Sequence, residues 1–85
     1  MKKLSVIILN YNTRDILRDC IKNLDGKYPN MELIVVDNDS PDNSAEMVKE
    51  EFLNDDYPWV SLIEAPNEGL AHGYNLGLEK ADGDY

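Results

Sequence analysis

The sequence predicts an α/β protein whose parallel sheet is built from a βαβαβα succession. Three observations carry this expectation. Short apolar runs of strand length recur along the chain, each followed by polar turn residues, and the segments between them carry apolar residues three and four positions apart. Runs that are continuously apolar, rather than alternating, suit strands buried on both faces of a parallel sheet. Their alternation with amphipathic segments implies right-handed crossovers with helices covering the sheet.

The first run, Leu4-Ser5-Val6-Ile7-Ile8-Leu9, ends in the polar triplet Asn10-Tyr11-Asn12. Asn12 or Thr13 can cap a helix that places Ile16, Leu17, Cys20, Ile21 and Leu24 on one face, and Gly26 supplies its stop signal. After the Tyr28-Pro29-Asn30 turn, Glu32-Leu33-Ile34-Val35-Val36-Asp37 repeats the pattern of an apolar strand with a polar end. The loop from Asn38 to Ser44 leads into a second helix with Ala45, Val48 and Phe52 inward. Trp59-Val60-Ser61-Leu62-Ile63 reads as the third strand, and Asn67 as the cap of a third helix with Leu70, Tyr74, Leu78 and Ala81 inward. Repeats and linkers are absent, so residues 1–85 read as one structural unit.

Composition narrows the partners. Seventeen acidic against eight basic residues give a net charge of −9, which opposes nucleic acid and anionic membrane surfaces. No apolar run approaches the ~20 residues of a membrane span, and the first run is too short for a signal-peptide core. A cytoplasmic location is expected, with a peripheral position at the inner membrane face as a variant for a longer protein. Cys20 is the only cysteine, so it reads as a small core residue rather than part of a disulfide framework or metal cluster.

The polar clusters Asn10-Tyr11-Asn12, Asp37-Asn38-Asp39-Ser40 and Asn67-Glu68-Gly69 all fall at strand carboxyl ends or helix starts. In doubly wound sheets that edge holds ligands. The same residue types also serve as turn and cap formers, and pattern alone leaves the two roles open. Gly-x-Gly-x-x-Gly after the first strand and the Gly-x-x-x-x-Gly-Lys-Ser/Thr loop are both missing, which disfavours dinucleotide dehydrogenases and P-loop hydrolases.

Read together, Ser5 through Thr13, Val35-Val36-Asp37-Asn38-Asp39-Ser40, and Asn67-Glu68-Gly69-Leu70-Ala71-His72-Gly73-Tyr74-Asn75-Leu76-Gly77 resemble family 2 glycosyltransferases of the GT-A fold in order and spacing. The Leu9-Asn10-Tyr11-Asn12 form looks most like the rhamnosyltransferase-like branch. The resemblance covers essentially the whole chain, as a three-layer βαβαβα half of the sheet that stops before the fourth strand. It implies a pocket for a nucleoside-diphosphate sugar of UDP or dTDP type, lined by Asn10, Tyr11, Asn12, Asp37, Asn38, Asp39, Gly69 and Asn75. By it, Tyr11 lies against base or ribose, with a wedge between strand and helix as the structural alternative. Asp37 matches a carboxylate that contacts the base and can accept a hydrogen bond from a pyrimidine imide; its alternative is a turn cap.

The resemblance further implies a divalent cation, Mg²⁺ or Mn²⁺, held after the fourth strand in the full-length enzyme. Asp37-x-Asp39 and Asp82-x-Asp84 share the spelling of such a pair but stand before that position, so no metal ligand and no catalytic residue is assigned, and the chain alone is expected to bind without turnover. Gly73 and Gly77 each cost up to ~1 kcal/mol in a helix, offset either by close packing or by access to a ligand. The first strand is expected as an open edge, inviting self-association.

Overall fold

The computed structural model describes residues 3–27, 30–66 and 70–81, the side chains of 70–74 excepted. Six elements alternate as expected: β1 (Leu4–Asn10), α1 (Arg14–Leu24), β2 (Met31–Asn38), α2 (Ser44–Glu51), β3 (Val60–Ala65) and α3 (Leu70–Lys80). The strands form one parallel sheet in the order β1-β2-β3. Leu4 of β1 is paired with Met31, Asn10 with Asp37, and Asn38 with Ala65 of β3.

The continuous apolar run of β2 has a direct cause in the layering. Leu33 and Val35 point toward α1 and α2, joining a cluster with Leu17, Ile21, Met47, Val48, Phe52 and Val60. Ile34 and Val36 point to the other face, where Ile7, Leu9, Ile63, Leu76 and Ala81 pack. With helices on both faces, every position from Leu33 to Asn38 is buried. The architecture is therefore three-layered, with α1 and α2 on one face and α3 on the other.

Helix faces depart from the expectation at three residues expected inward. Leu17 and Ile21 anchor α1, whereas Ile16 is 71% exposed and Cys20 is exposed, so the cysteine is not a core residue. Both lie on the side of α1 away from Arg18, the residue that meets Glu51 of α2. On α3, Leu76 and Gly77 meet the sheet and Leu78 is exposed. The Asn67 cap and Tyr74 packing fall outside the described residues and side chains.

Gly77 shows what holds α3 close. A Cβ built there would stand 2.7 Å from Ile7 Cγ2 and 3.4 Å from Val36 Cγ2. The Ile7 methyl sits on a β-branched carbon whose rotation is restricted, so it yields poorly.

The start of α1 is capped from a distance. Thr13 occupies the cap position without a side-chain cap bond; its hydroxyl instead donates to Asn10 Oδ1 at 2.7 Å. The α1 amide of Arg14 donates to Asp42 Oδ2 at 2.9 Å. Asp42 Oδ1 also accepts from the Ser44 amide and from the Ser44 hydroxyl. One carboxylate thus serves the amino ends of two helices. Its pKa lies below the usual carboxylate value, first because of the Ser44 hydroxyl and then the backbone amides. Further along, Arg18 grips Glu51 through its Nε and Nη2 groups, tying α1 to α2 and likewise lowering the Glu51 pKa.

Gly77→Ala should destabilise the protein by about 1 kcal/mol despite the ~1 kcal/mol gain in helix propensity, because overpacking costs about 1–3 kcal/mol; urea unfolding reads the sign, and a more stable variant would refute the contact. Asp42→Asn should cost about 1 kcal/mol at neutral pH. Asp42 has a folded pKa below its unfolded one, so its contribution is present above pH ~4 and is lost as pH falls through the folded value. The gap between wild type and variant should accordingly close below pH ~4 in urea titrations. Glu51 keeps part of the acid sensitivity in the variant.

Candidate functional site

The carboxyl edge of the sheet is polar because the strands run out of apolar residues together. The Asn10↔Asp37 pair ends the β1–β2 ladder, and Asn10, Asp37 and Asn38 are all buried. Asn10 Nδ2 donates to Asp37 Oδ1 at 3.0 Å and reaches Ser40 Oγ at 3.3 Å. The Ser40 hydroxyl donates to Asp37 Oδ1 at 2.6 Å, its amide donates to Asp37 Oδ2 at 3.2 Å, and its Oγ accepts from the Asn12 amide at 3.0 Å. A carboxylate therefore ties together the loops after β1 and β2.

Backbone geometry marks the same edge. Asn12, Asp39 and Asn43 have φ of 56°, 57° and 63°, in the left-handed region that Asn and Asp tolerate better than other side chains bearing a Cβ. All three sit in loops leaving β1 or β2.

Asp37 and Asn38 leave the central strand on opposite faces. Asp37 continues the Leu33, Val35 side, toward α2. There it lines a hollow of about 350 Å³ with Asp39, Ser40, Ala45, Glu46, Glu64, Ala65 and Pro66. Glu64 is paired with Lys49 at 2.8 Å. Tyr11, 48% exposed, does not line this hollow, so the ring and Asp37 emerge from adjacent parallel strands without sharing it. Asn38 continues the Ile34, Val36 side, on which α3 lies. It is 2% exposed, and its Oδ1 has no hydrogen-bond partner among the described residues. A buried carbonyl oxygen left in this state costs about 1–3 kcal/mol unless something donates to it.

Of the other residues expected at the site, Asn75 is exposed on α3, and Gly69 lies outside the described residues. Arg14 is held at the α1 start, Nη1 donating to the Asp42 carbonyl oxygen and Nε to Asp15. Among the described residues no three His, Cys, Asp or Glu side chains could hold a metal ion together. Asp82 and Asp84 lie outside the described residues. Nor is any helix of the described residues long and apolar enough to cross a membrane. The orphaned Asn38 oxygen was missed as a distinguishing feature because its signal is structural: the sequence places Asn38 beside Asp37 but does not say which of the two is already satisfied.

Comparison with known proteins matches this chain to one family. Residues 5–85 match the model of Glycosyl transferase family 2. The chain is 38% identical over 84 residues to an uncharacterized glycosyltransferase, YibD, of Escherichia coli (strain K12), covering 98% of this chain and 24% of that protein. It is 36% identical to a dolichol-phosphate mannosyltransferase of Pyrococcus furiosus, covering 96% of this chain and 23% of that protein. Its fold superimposes with a TM-score of 0.85 and 25% identity on mannosyltransferase PcManGT from Pyrobaculum calidifontis, solved with GDP-Man and Mn²⁺; the match covers 98% of this chain and 25% of that one. The chain thus spans about a quarter of the length of these relatives. With a parallel βαβαβα sheet of GT-A type and a family match running from Ser5 to its last residue, this chain belongs to glycosyltransferase family 2.

Proposed function

We propose that this chain is the nucleotide-binding portion of an enzyme that transfers a sugar from a nucleoside-diphosphate sugar to a glycan or lipid-linked acceptor. The observation that carries the reading is the Asn38 amide: buried at the carboxyl end of the central strand, with an oxygen that no described residue satisfies. An amide oxygen there accepts a hydrogen bond from a base N–H, such as the imide of uracil or thymine. Asp37 already accepts three hydrogen bonds of the roughly four a carboxylate can take. Its part in this reading is to hold Asn10, Ser40 and the turn after β2 in place, with at most one acceptor position left for a ligand.

Tyr11 follows Asn10 at the end of β1 and remains half exposed, as a ring that packs against a planar base must be before the ligand arrives. The left-handed Asn12 and Asp39 shape the loops on either side. A divalent cation suits the departing diphosphate in the full-length enzyme by neutralising its charge. The described residues do not supply its ligands, so no step of the present reading runs through it, and the 85-residue chain is read as binding without turnover.

Titration with UDP and dTDP should shift the NMR signals of Tyr11, Asn38 and Asn75, and Asn38→Ala should weaken binding about tenfold; unchanged spectra with both nucleotides would overturn the reading. Asp37→Ala separates scaffold from reader. Leaving the Asn10 and Ser40 donors unpaired should cost about 1–3 kcal/mol of folding stability, measured by urea unfolding, whereas Asn38→Ala, which removes an acceptor already unsatisfied, should cost less.

A further inference from the structure

The loops after β1 and β2 are fastened to each other at two points. Asn12 donates its amide to Ser40 Oγ at 3.0 Å, and two residues on, Arg14 donates its amide to Asp42 Oδ2 at 2.9 Å. The acceptors are also two residues apart, and Pro41 between them restricts the backbone that carries both. The second fastening caps α1. The first belongs to no helix and stands next to Tyr11.

The Ser40 hydroxyl has one proton to give and two lone pairs with which to accept. Its proton goes to Asp37 Oδ1 at 2.6 Å, and its oxygen accepts from the Asn12 amide and, at 3.3 Å, from Asn10 Nδ2. A carboxylate only accepts, so the hydroxyl must donate inward and receive Asn12 outward. Donation to a charged acceptor polarises the hydroxyl and strengthens its oxygen as an acceptor. Ser40 does not need this hydroxyl to keep its own place, because its amide donates separately to Asp37 Oδ2 at 3.2 Å.

We infer that the Ser40 hydroxyl is a positioning group for Tyr11, and through that ring for the base of a bound nucleotide. Asn10, the residue before Tyr11, is buried and ends the strand, so the sheet sets its backbone. Asn12, the residue after, has a φ of 56°, a sparsely populated state that the surrounding structure must hold. Ser40 Oγ supplies that hold. Tyr11 is thus fixed on both sides, and only its two side-chain torsions are left to order when a ligand arrives, which lowers the ordering cost of binding. The Asn12 contact is exposed, so water can take over from Ser40 as acceptor; the fold then survives while the ring loses its place. The hold on Asn12 stands by itself, whereas its effect on a ligand rests on the nucleotide reading.

Ser40→Ala and Ser40→Thr, the second keeping donor and acceptor, test the inference. In the free protein, backbone nitrogen order parameters at Tyr11 and Asn12 should fall from about 0.85 toward about 0.6 in Ser40→Ala, with Val35 in the core of β2 unchanged. Ser40→Thr should restore them. The dissociation constant for UDP, read by NMR titration, should rise about fivefold in Ser40→Ala and recover in Ser40→Thr. In a Tyr11→Ala background, Ser40→Ala should leave that constant unchanged, because its effect passes through the ring. Tyr11 and Asn12 as rigid in Ser40→Ala as in wild type, a loosening shared by Val35, undiminished affinity, no recovery with Ser40→Thr, or further weakening in the Tyr11→Ala background would each overturn the inference. If wild type binds neither UDP nor dTDP, the nucleotide reading falls and takes the ligand effect with it, while the order parameters still decide whether Ser40 holds Tyr11.

Discussion

The constraint on which the molecule depends is the two-sided burial of β2. A strand whose residues from Leu33 to Asn38 are all enclosed can exist only with a helical layer on each face, because buried backbone must be paired laterally and buried side chains must meet apolar partners above and below. α1 and α2 supply one layer and α3 the other. The approach of α3 is then set by the smallest residue at the contact, Gly77 against Ile7 and Val36.

The same strand delivers the polar edge. Once apolar residues end at Val36, the next two positions are still enclosed but carry Asp37 and Asn38. The carboxylate is satisfied locally by Asn10 and Ser40. The amide oxygen meets no donor among the described residues. Adjacent positions of one strand therefore take different roles according to the face each meets, one fastening two loops and the other left with unused acceptor capacity.

Much of this was legible in the sequence. The apolar runs, the alternation of elements and the Asn, Asp and Ser clusters at their ends identified element order, layer type and the polar edge of the sheet, because those signals are local and repeat three times. Helix faces were less legible. Ile16 and Cys20 fit the apolar spacing of α1 as well as Leu17 and Ile21 do, and only the position of α1 over β1 and β2 decides which pair is covered. The division of labour between Asp37 and Asn38 depends on Ser40 turning back to meet the carboxylate, which no spacing rule encodes. The role of Asp42 was hidden for a similar reason: it stands 28 positions from the amide it caps.

On the proposed reading, that distant cap bears on how a diphosphate would be received. Helix starts attract anions through their free amides and partial positive charge, and the sheet turns two such ends, those of α1 and α2, toward its ligand edge. Both are already occupied by an internal anion, Asp42. External phosphate approaching there meets a resident carboxylate within an acidic surround of Asp39, Glu46 and Glu64. On the proposed nucleotide reading, recognition on this half of the edge is thereby weighted toward the uncharged base and ribose, and the burden of compensating phosphate charge passes to other groups.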